Sequence, residues 1–160
     1  MKYILLIPIF LSCGLLHAQK IDSSIIAKAK EAGSFLYQQT KAYGIRIELR
    51  GIYIHNQQFY FSFTISNRSR LNYPIDFIHF YIRDRVTAKR TSVQEMELVP
   101  LYMDSVSNVS AKSKQNFVIV LPQFTIPDRK ECILELFEFN GGRNLTCKVT
   151  NKSIFQAKVL

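Results

Sequence analysis

IDFIHFYIRDRVTAKRTSVQEMELVPLY, Ile75 to Tyr102, is the stretch on which the fold turns. The run Phe77-Ile78-His79-Phe80-Tyr81-Ile82 is too short for a typical helix and rich in β-preferring residues, so it predicts a strand. A charged reversal follows from Arg83 to Arg90. A second alternating run then sets Met96 and Leu98 against Glu95 and Glu97. The stretch therefore predicts two strands joined by a basic connection.

The chain upstream supports a β domain. Ile45, Ile47 and Leu49 alternate with Arg46, Glu48 and Arg50, which gives one apolar and one charged face. Gly51 interrupts the alternation before Ile52 and Ile54, as a β-bulge would. His55 to Gln58 is a polar turn. Beyond it Phe59, Phe61, Phe63 and Ile65 stand opposite Tyr60, Ser62, Thr64 and Ser66, the pattern of a half-buried strand. Residues 67–74 form a loop, and Pro74 delays the next strand.

Downstream, the polar segment from Asp104 to Gln115 is expected to be a mobile loop. Phe117 to Leu121 is a continuous apolar strand closed by Pro122, and Pro127-Asp128 marks a turn. Glu131 to Phe139 carries Cys132, Leu134 and Leu136 on one side. Asn140-Gly141-Gly142-Arg143 is a hairpin signal, with Leu145, Cys147 and Val149 on the returning strand. About seven strands with closely spaced turn signals predict an all-β fold, an antiparallel, Ig-like β-sandwich over residues 45–160.

Two segments precede it. Lys2 followed by the apolar run Ile4 to Leu16, with Ala18 before a polar start, reads as a signal peptide over residues 1–18. Ser12-Cys13-Gly14 keeps a lipoprotein reading open, although the apolar run continues past Cys13. Residues 19–44 predict one N-terminal helix: Ile25, Ala29, Ala32, Leu36 and Tyr43 share a face, Asp22 can cap it and Gly44 can end it. The formal net charge is +9, one less once Lys2 leaves with the leader. The charges are spread along the chain, so they speak first for solubility.

Chemistry-bearing patterns are sparse. Beyond the leader the chain has two histidines, His55 and His79, and no HxH or CxxC spacing, so neither metal nor other cofactor is expected. No nucleophile elbow or phosphate loop occurs. Glu95 and Glu97 share one strand face and read as solvated carboxylates, so no catalytic residues are assigned and no enzyme is expected. If Asn140 pairs with Arg143, Cys147 faces Leu136 and Cys132 faces Asn151. The sulfurs then lie roughly 13 Å apart along the ladder, and two free thiols are expected.

Binding is better supported. With Ile78, Phe80 and Ile82 turned to the core, Phe77, His79, Tyr81 and Arg83 fall on the opposite face. An aromatic and arginine cluster of this kind has the composition of an interface hot spot. The competing expectation is that the N-terminal helix covers this face. Arg83, Arg85, Lys89 and Arg90 give the hairpin a basic end, with Asp84 as an internal partner. The candidate partner-binding set is therefore Phe77, Tyr81, Arg83, Arg85, Lys89 and Arg90. No recognition helix or zinc module accompanies them, so direct nucleic-acid binding is not expected.

Two stretches also carry a family resemblance. IDFIHFYIRD (75–84), AKRT (88–91), QE (94–95) and PLY (100–102) form the first; FTIPD (124–128) and FEFNGGRNL (137–145) form the second. In this order and spacing they resemble the TraN family of conjugative transposons, over about residues 45–158. The resemblance implies a non-enzymatic structural subunit of a type IV secretion-like transfer apparatus. It further implies an exported, outer-membrane-associated protein that meets the membrane through other transfer proteins, with a ring-forming homo-oligomer as one arrangement. It also implies an additional N-terminal domain, where here one helix is expected. A secreted adhesion or ligand-binding sandwich is the alternative class.

Overall fold

A computed structural model describes residues 21–85 and 94–160, so the expected signal peptide lies outside the described residues. Helix α1 spans Ser23–Glu31, and the Asp22 carboxylate accepts a hydrogen bond from the Ser24 N–H at 2.8 Å. Ile25, Ile26 and Ala29 are its buried face. The helix is shorter than the expected 19–44. Arg50 explains the stop: its guanidinium donates to the carbonyls of Lys30 and Ala32, satisfying groups that a longer helix would have bonded internally. The Phe35 and Leu36 N–H groups then both donate to the Arg50 carbonyl.

The residues that would have continued the helix form an edge strand instead, β1 (Gln38–Ala42). It turns through Tyr43 (φ 54°) and Gly44 (φ 77°) into β2 (Ile45–His55). Two successive positive φ values suit a two-residue hairpin turn, so Gly44 is left-handed as expected but closes a hairpin. The β2 register shifts between Leu49 and Gly51, the expected bulge. A Cβ on Gly51 would lie 2.5 Å from the Phe35 ring, so a larger residue at the bulge would displace that ring. Asn56 and Gln57, both at positive φ, turn the chain into β3 (Gln58–Asn67).

The remaining elements are β4 (Tyr73–Asp84), β5 (Glu95–Glu97), β6 (Tyr102–Met103), β7 (Asn108–Val109), β8 (Lys114–Pro122), β9 (Lys130–Glu138), β10 (Leu145–Val149), α2 (Asn151–Phe155) and β11 (Lys158–Val159). The first sheet runs β1-β2-β3-β8-β6, with β11 added parallel to β2. The second runs β10-β9-β4-β5, with β7 added to β4. The fold is an antiparallel β-sandwich with one N-terminal helix. Among the described strands, seven have five or more residues. Pro74 sits inside β4, opposite Asn108 of the short β7, and does not precede the strand.

Between the sheets, Ile47, Leu49, Phe61, Phe63 and Phe117 from the first meet Phe80, Ile82, Leu134 and Leu136 from the second. Aromatic rings knit this layer: Phe61 lies edge-on to Phe80 at 5.2 Å, and Phe63 stacks on Phe117 at 5.3 Å. Each fully buried ring or branched chain contributes about 1.5–3 kcal/mol of transfer free energy. A second apolar layer lies under α1, where Ile25, Ile26 and Ala29 pack on Tyr53, Tyr60, Val118 and Val120. This layer explains the unbroken apolar run of β8 and makes most of β3 buried on both faces, where a half-buried strand was expected.

Two local expectations are corrected. The segment from Asp104 to Gln115 is anchored: Val106 and Val109 are buried, β7 pairs with β4, and the Asp104 carboxylate accepts from the Val118 N–H at 2.9 Å. In the β9–β10 hairpin, Cys147 faces Leu134 and Cys132 faces Val149, a register displaced from the expected one. The loop is wider than two residues because Arg143 folds back onto Glu138 through its backbone N–H and its guanidinium, while the Glu138 N–H donates to Asn144. Both thiols are free and buried.

Candidate functional site

The outer face of the second sheet carries Phe77, His79, Tyr81 and Arg83 of β4. The β4 register places Phe77 opposite Phe137, His79 opposite Glu135, Tyr81 opposite Ile133 and Arg83 opposite Glu131. On one flank β10 adds Thr146 beside Glu135 and Lys148 beside Ile133. On the other, β5 adds Glu97 beside Tyr81 and Glu95 beside Arg83. Helix α1 packs on the first sheet, so it does not cover this face.

Not all of the expected docking residues are available. Tyr81 is only 2% exposed and so is corrected from a surface anchor to an internal one. Its ring stacks on His79 at 4.5 Å, the Arg83 guanidinium lies 6.0 Å from its centroid, and its hydroxyl donates to Glu135 at 3.0 Å. Burial, reinforced by this bond to a carboxylate, pushes the phenol up to about 12. Arg83 is half-buried and spends its Nε on Glu131 at 2.9 Å. Glu131 also accepts from Lys148 at 2.6 Å. Burial alone would raise the Glu131 carboxyl, but the bonds from Lys148 and Arg83 outweigh it and hold the group below its usual range.

Phe77 is the open member, 49% exposed and stacked on Phe137 at 4.3 Å with the rings 20° from parallel. Arg85 is exposed at the far end of the face and lines a cavity of about 230 Å³ with Lys130, Glu131 and Lys148. Asp84 is paired with Lys130 of β9 at 2.9 Å, a partner the sequence did not point to. Lys89 and Arg90 lie outside the described residues. Sequence reasoning missed Phe137, Glu131, Glu135 and Lys148. The alternation of β9 and β10 marks them as outward, but only the strand pairing puts them beside Phe77 and Arg83.

Chemically the described face gathers stacked aromatic rings and paired charges, groups suited to binding. Its carboxylates are tied to Arg83, Lys148, Tyr81 and Thr146 or lie along the open β5 edge. Among the described residues no three His, Cys, Asp or Glu side chains are grouped to hold a metal ion. No described helix is long and apolar enough to cross a membrane.

The fold and this face define a β-sandwich module with an aromatic and ionic sheet surface. The chain belongs to the family described as Domain of unknown function (DUF4138), whose profile matches residues 19–159. Comparison with curated proteins and with solved structures returned no match in either case.

Proposed function

We propose that the protein is a non-enzymatic assembly subunit of a conjugative, type IV secretion-like transfer apparatus in the cell envelope, resembling TraN proteins. In this reading the outer face of the second sheet docks another transfer protein. One observation carries it. The two stretches that resemble the TraN family are far apart in sequence, yet they supply β4–β5 and β9–β10, neighbours in a single sheet. Their shared outer face is left uncovered by α1 and carries exposed Phe77 stacked on half-buried Phe137. The family match also begins at Gln19, the residue after the expected cleavage.

The test is recovery of transfer-apparatus proteins on the immobilised protein, paired with thermal melts. Phe77→Ala removes exposed aromatic area and is expected to cost about 1–3 kcal/mol of affinity with little change in melting. Arg85→Glu, at the rim, mainly slows association and changes its salt dependence. Unchanged recovery with both variants, melts intact, removes this face from the function. A second reading, an apolar-ligand-binding sandwich, is favoured by a cavity of about 540 Å³ lined by Ile54, Phe59, Phe124, Ile154 and Phe155. Native mass spectrometry showing a bound lipid-like molecule that Phe124→Ala removes would support it over docking.

A further inference from the structure

The end of the sandwich away from Arg85 presents a different chemistry, carried by the first sheet and its loops. Three connections meet there: the Tyr43–Gly44 turn, residues 68–72 after β3, and residues 110–113 before β8. They are bonded to one another. The Arg68 N–H donates to the Gly44 carbonyl at 2.8 Å, the Ala111 N–H to Asn72 at 3.0 Å, and Lys112 Nζ to the Arg68 carbonyl at 2.5 Å. Buried Asn67 holds the middle connection by donating to the carbonyls of Leu71 and Val109. The end is therefore preorganised.

Its charge is one-sided. Pairing aligns Lys41, Arg46, Ser66 and Lys114 in one row across four strands of the first sheet's outer face. Two cations directly opposite each other, Lys41 and Arg46, repel. Arg68, Arg70 and Lys112 add charge on the adjoining loops. Among the described residues none of these cations joins an ion pair; half-buried Glu48 lies one row further along β2, and Glu138, which adjoins the 68–72 connection through Arg143, is taken up by that arginine. Lys41, Arg46 and Arg68 line a cavity of about 280 Å³ with Tyr43 and Gly44. The Arg46 Nε is buried with no hydrogen-bond partner, a donor left over beside that cavity.

Tyr43 is 63% exposed and Leu71 is 68% exposed on the same loops. An amphipathic tyrosine and a leucine flanked by lysine and arginine fit a bilayer surface, where rings and aliphatic tips enter the headgroup layer while cations meet phosphates. Free phosphate or a nucleic-acid backbone would use the cations and leave Leu71 without a role. We infer that this end binds an anionic phospholipid surface directly, with one headgroup phosphate held in the cavity by Lys41, Arg46 and Arg68. The protein would then contact the membrane itself as well as through partners.

The test is co-sedimentation of the native protein, purified from its own cells, with vesicles of phosphatidylcholine alone or mixed with phosphatidylglycerol. Binding is expected only to the anionic vesicles, falling at least tenfold as salt rises from low to 0.5 M, on the order set by screening. Arg68→Glu and Arg70→Glu, both exposed, should each weaken it about fivefold or more with unchanged melts. Leu71→Ser should weaken vesicle binding and leave any stabilisation by inorganic phosphate unchanged. Equal sedimentation with neutral vesicles, none with anionic ones, or binding of inorganic phosphate or an oligonucleotide without vesicle binding would overturn the inference. So would full vesicle binding by both glutamate variants. Phe77→Ala is expected to bind vesicles normally, so failure here is distinct from failure of the docking face.

Discussion

Tyr81 shows how one residue's role changes between sequence and structure. Its place in the strand aims it outward, yet His79, Arg83 and Glu135 close over it. Tyr81→Phe is therefore expected to lose the hydroxyl bond and cost about 1 kcal/mol of stability. Tyr81→Ala should cost about 3–5 kcal/mol by leaving a cavity, so it reports folding before binding. Urea denaturation of the two variants checks both figures; an alanine variant as stable as wild type would show that the ring is free. Glu131 sets a pH dependence at the same scale. Its folded carboxyl titrates below the unfolded value of about 4.3, so its stabilising effect is complete above that pH and is lost as pH falls through the folded value. Stability should decline on acidification below about pH 5, and Glu131→Gln should flatten that decline. An identical profile in the variant would mean that Lys148 and Arg83 do not hold the carboxylate.

At the scale of elements, the β9–β10 register decides the fate of the cysteines. Cys132 and Cys147 both face the core on diagonal positions, where Cα separations run at about 7–8 Å, at the limit for a bridge. Burial pushes the Cys147 thiol up to about 11 and Cys132 higher still, which suppresses thiolate formation. Purified without reductant, the protein should show no reactive thiol when native and two on denaturation; zero on denaturation would reveal a bridge. Elements with a clean period of two were legible in the sequence. The alternation of β2, the core-facing Phe59–Ile65 row of β3, the Gly51 bulge and the inward Cys132–Leu136 side all follow from local residues. The end of α1 was not, because Leu36 and Tyr43 continue the helical spacing by coincidence. Gly33, a weak position inside the expected helix, lies just past the observed end, and Arg50 on another element takes up the last carbonyls. The hairpin register was hidden for a similar reason, since the Glu138–Arg143 pair widens the turn beyond its glycine signal.

For the whole molecule, the sandwich separates two surfaces. The second sheet's outer face offers Phe77 among paired charges, and the loop end of the first sheet collects cations that join no ion pair among the described residues. The composition gave the net charge but not this division, because Lys41, Arg46, Arg68 and Lys114 are neighbours only after β1, β2, β3 and β8 pair. Of the docking face, Phe77 and Arg83 were legible as outward residues, whereas Phe137 and Glu131 needed strands more than forty residues distant. An envelope role also requires export. Intact mass of the native protein should correspond to a chain starting at Gln19 without an acyl group; a mass for an acylated chain starting at Cys13 would make it a lipoprotein.

The central claim is that the β4–β9 face meets a transfer protein in the cell. Site-specific photo-crosslinking from position 77, in cells carrying the transfer genes, tests it most directly. The account predicts an adduct between this protein and an envelope subunit of the transfer apparatus, absent when the crosslinker replaces Tyr37 near the start of β1. No adduct from position 77, or adducts of equal yield from both positions, would contradict it.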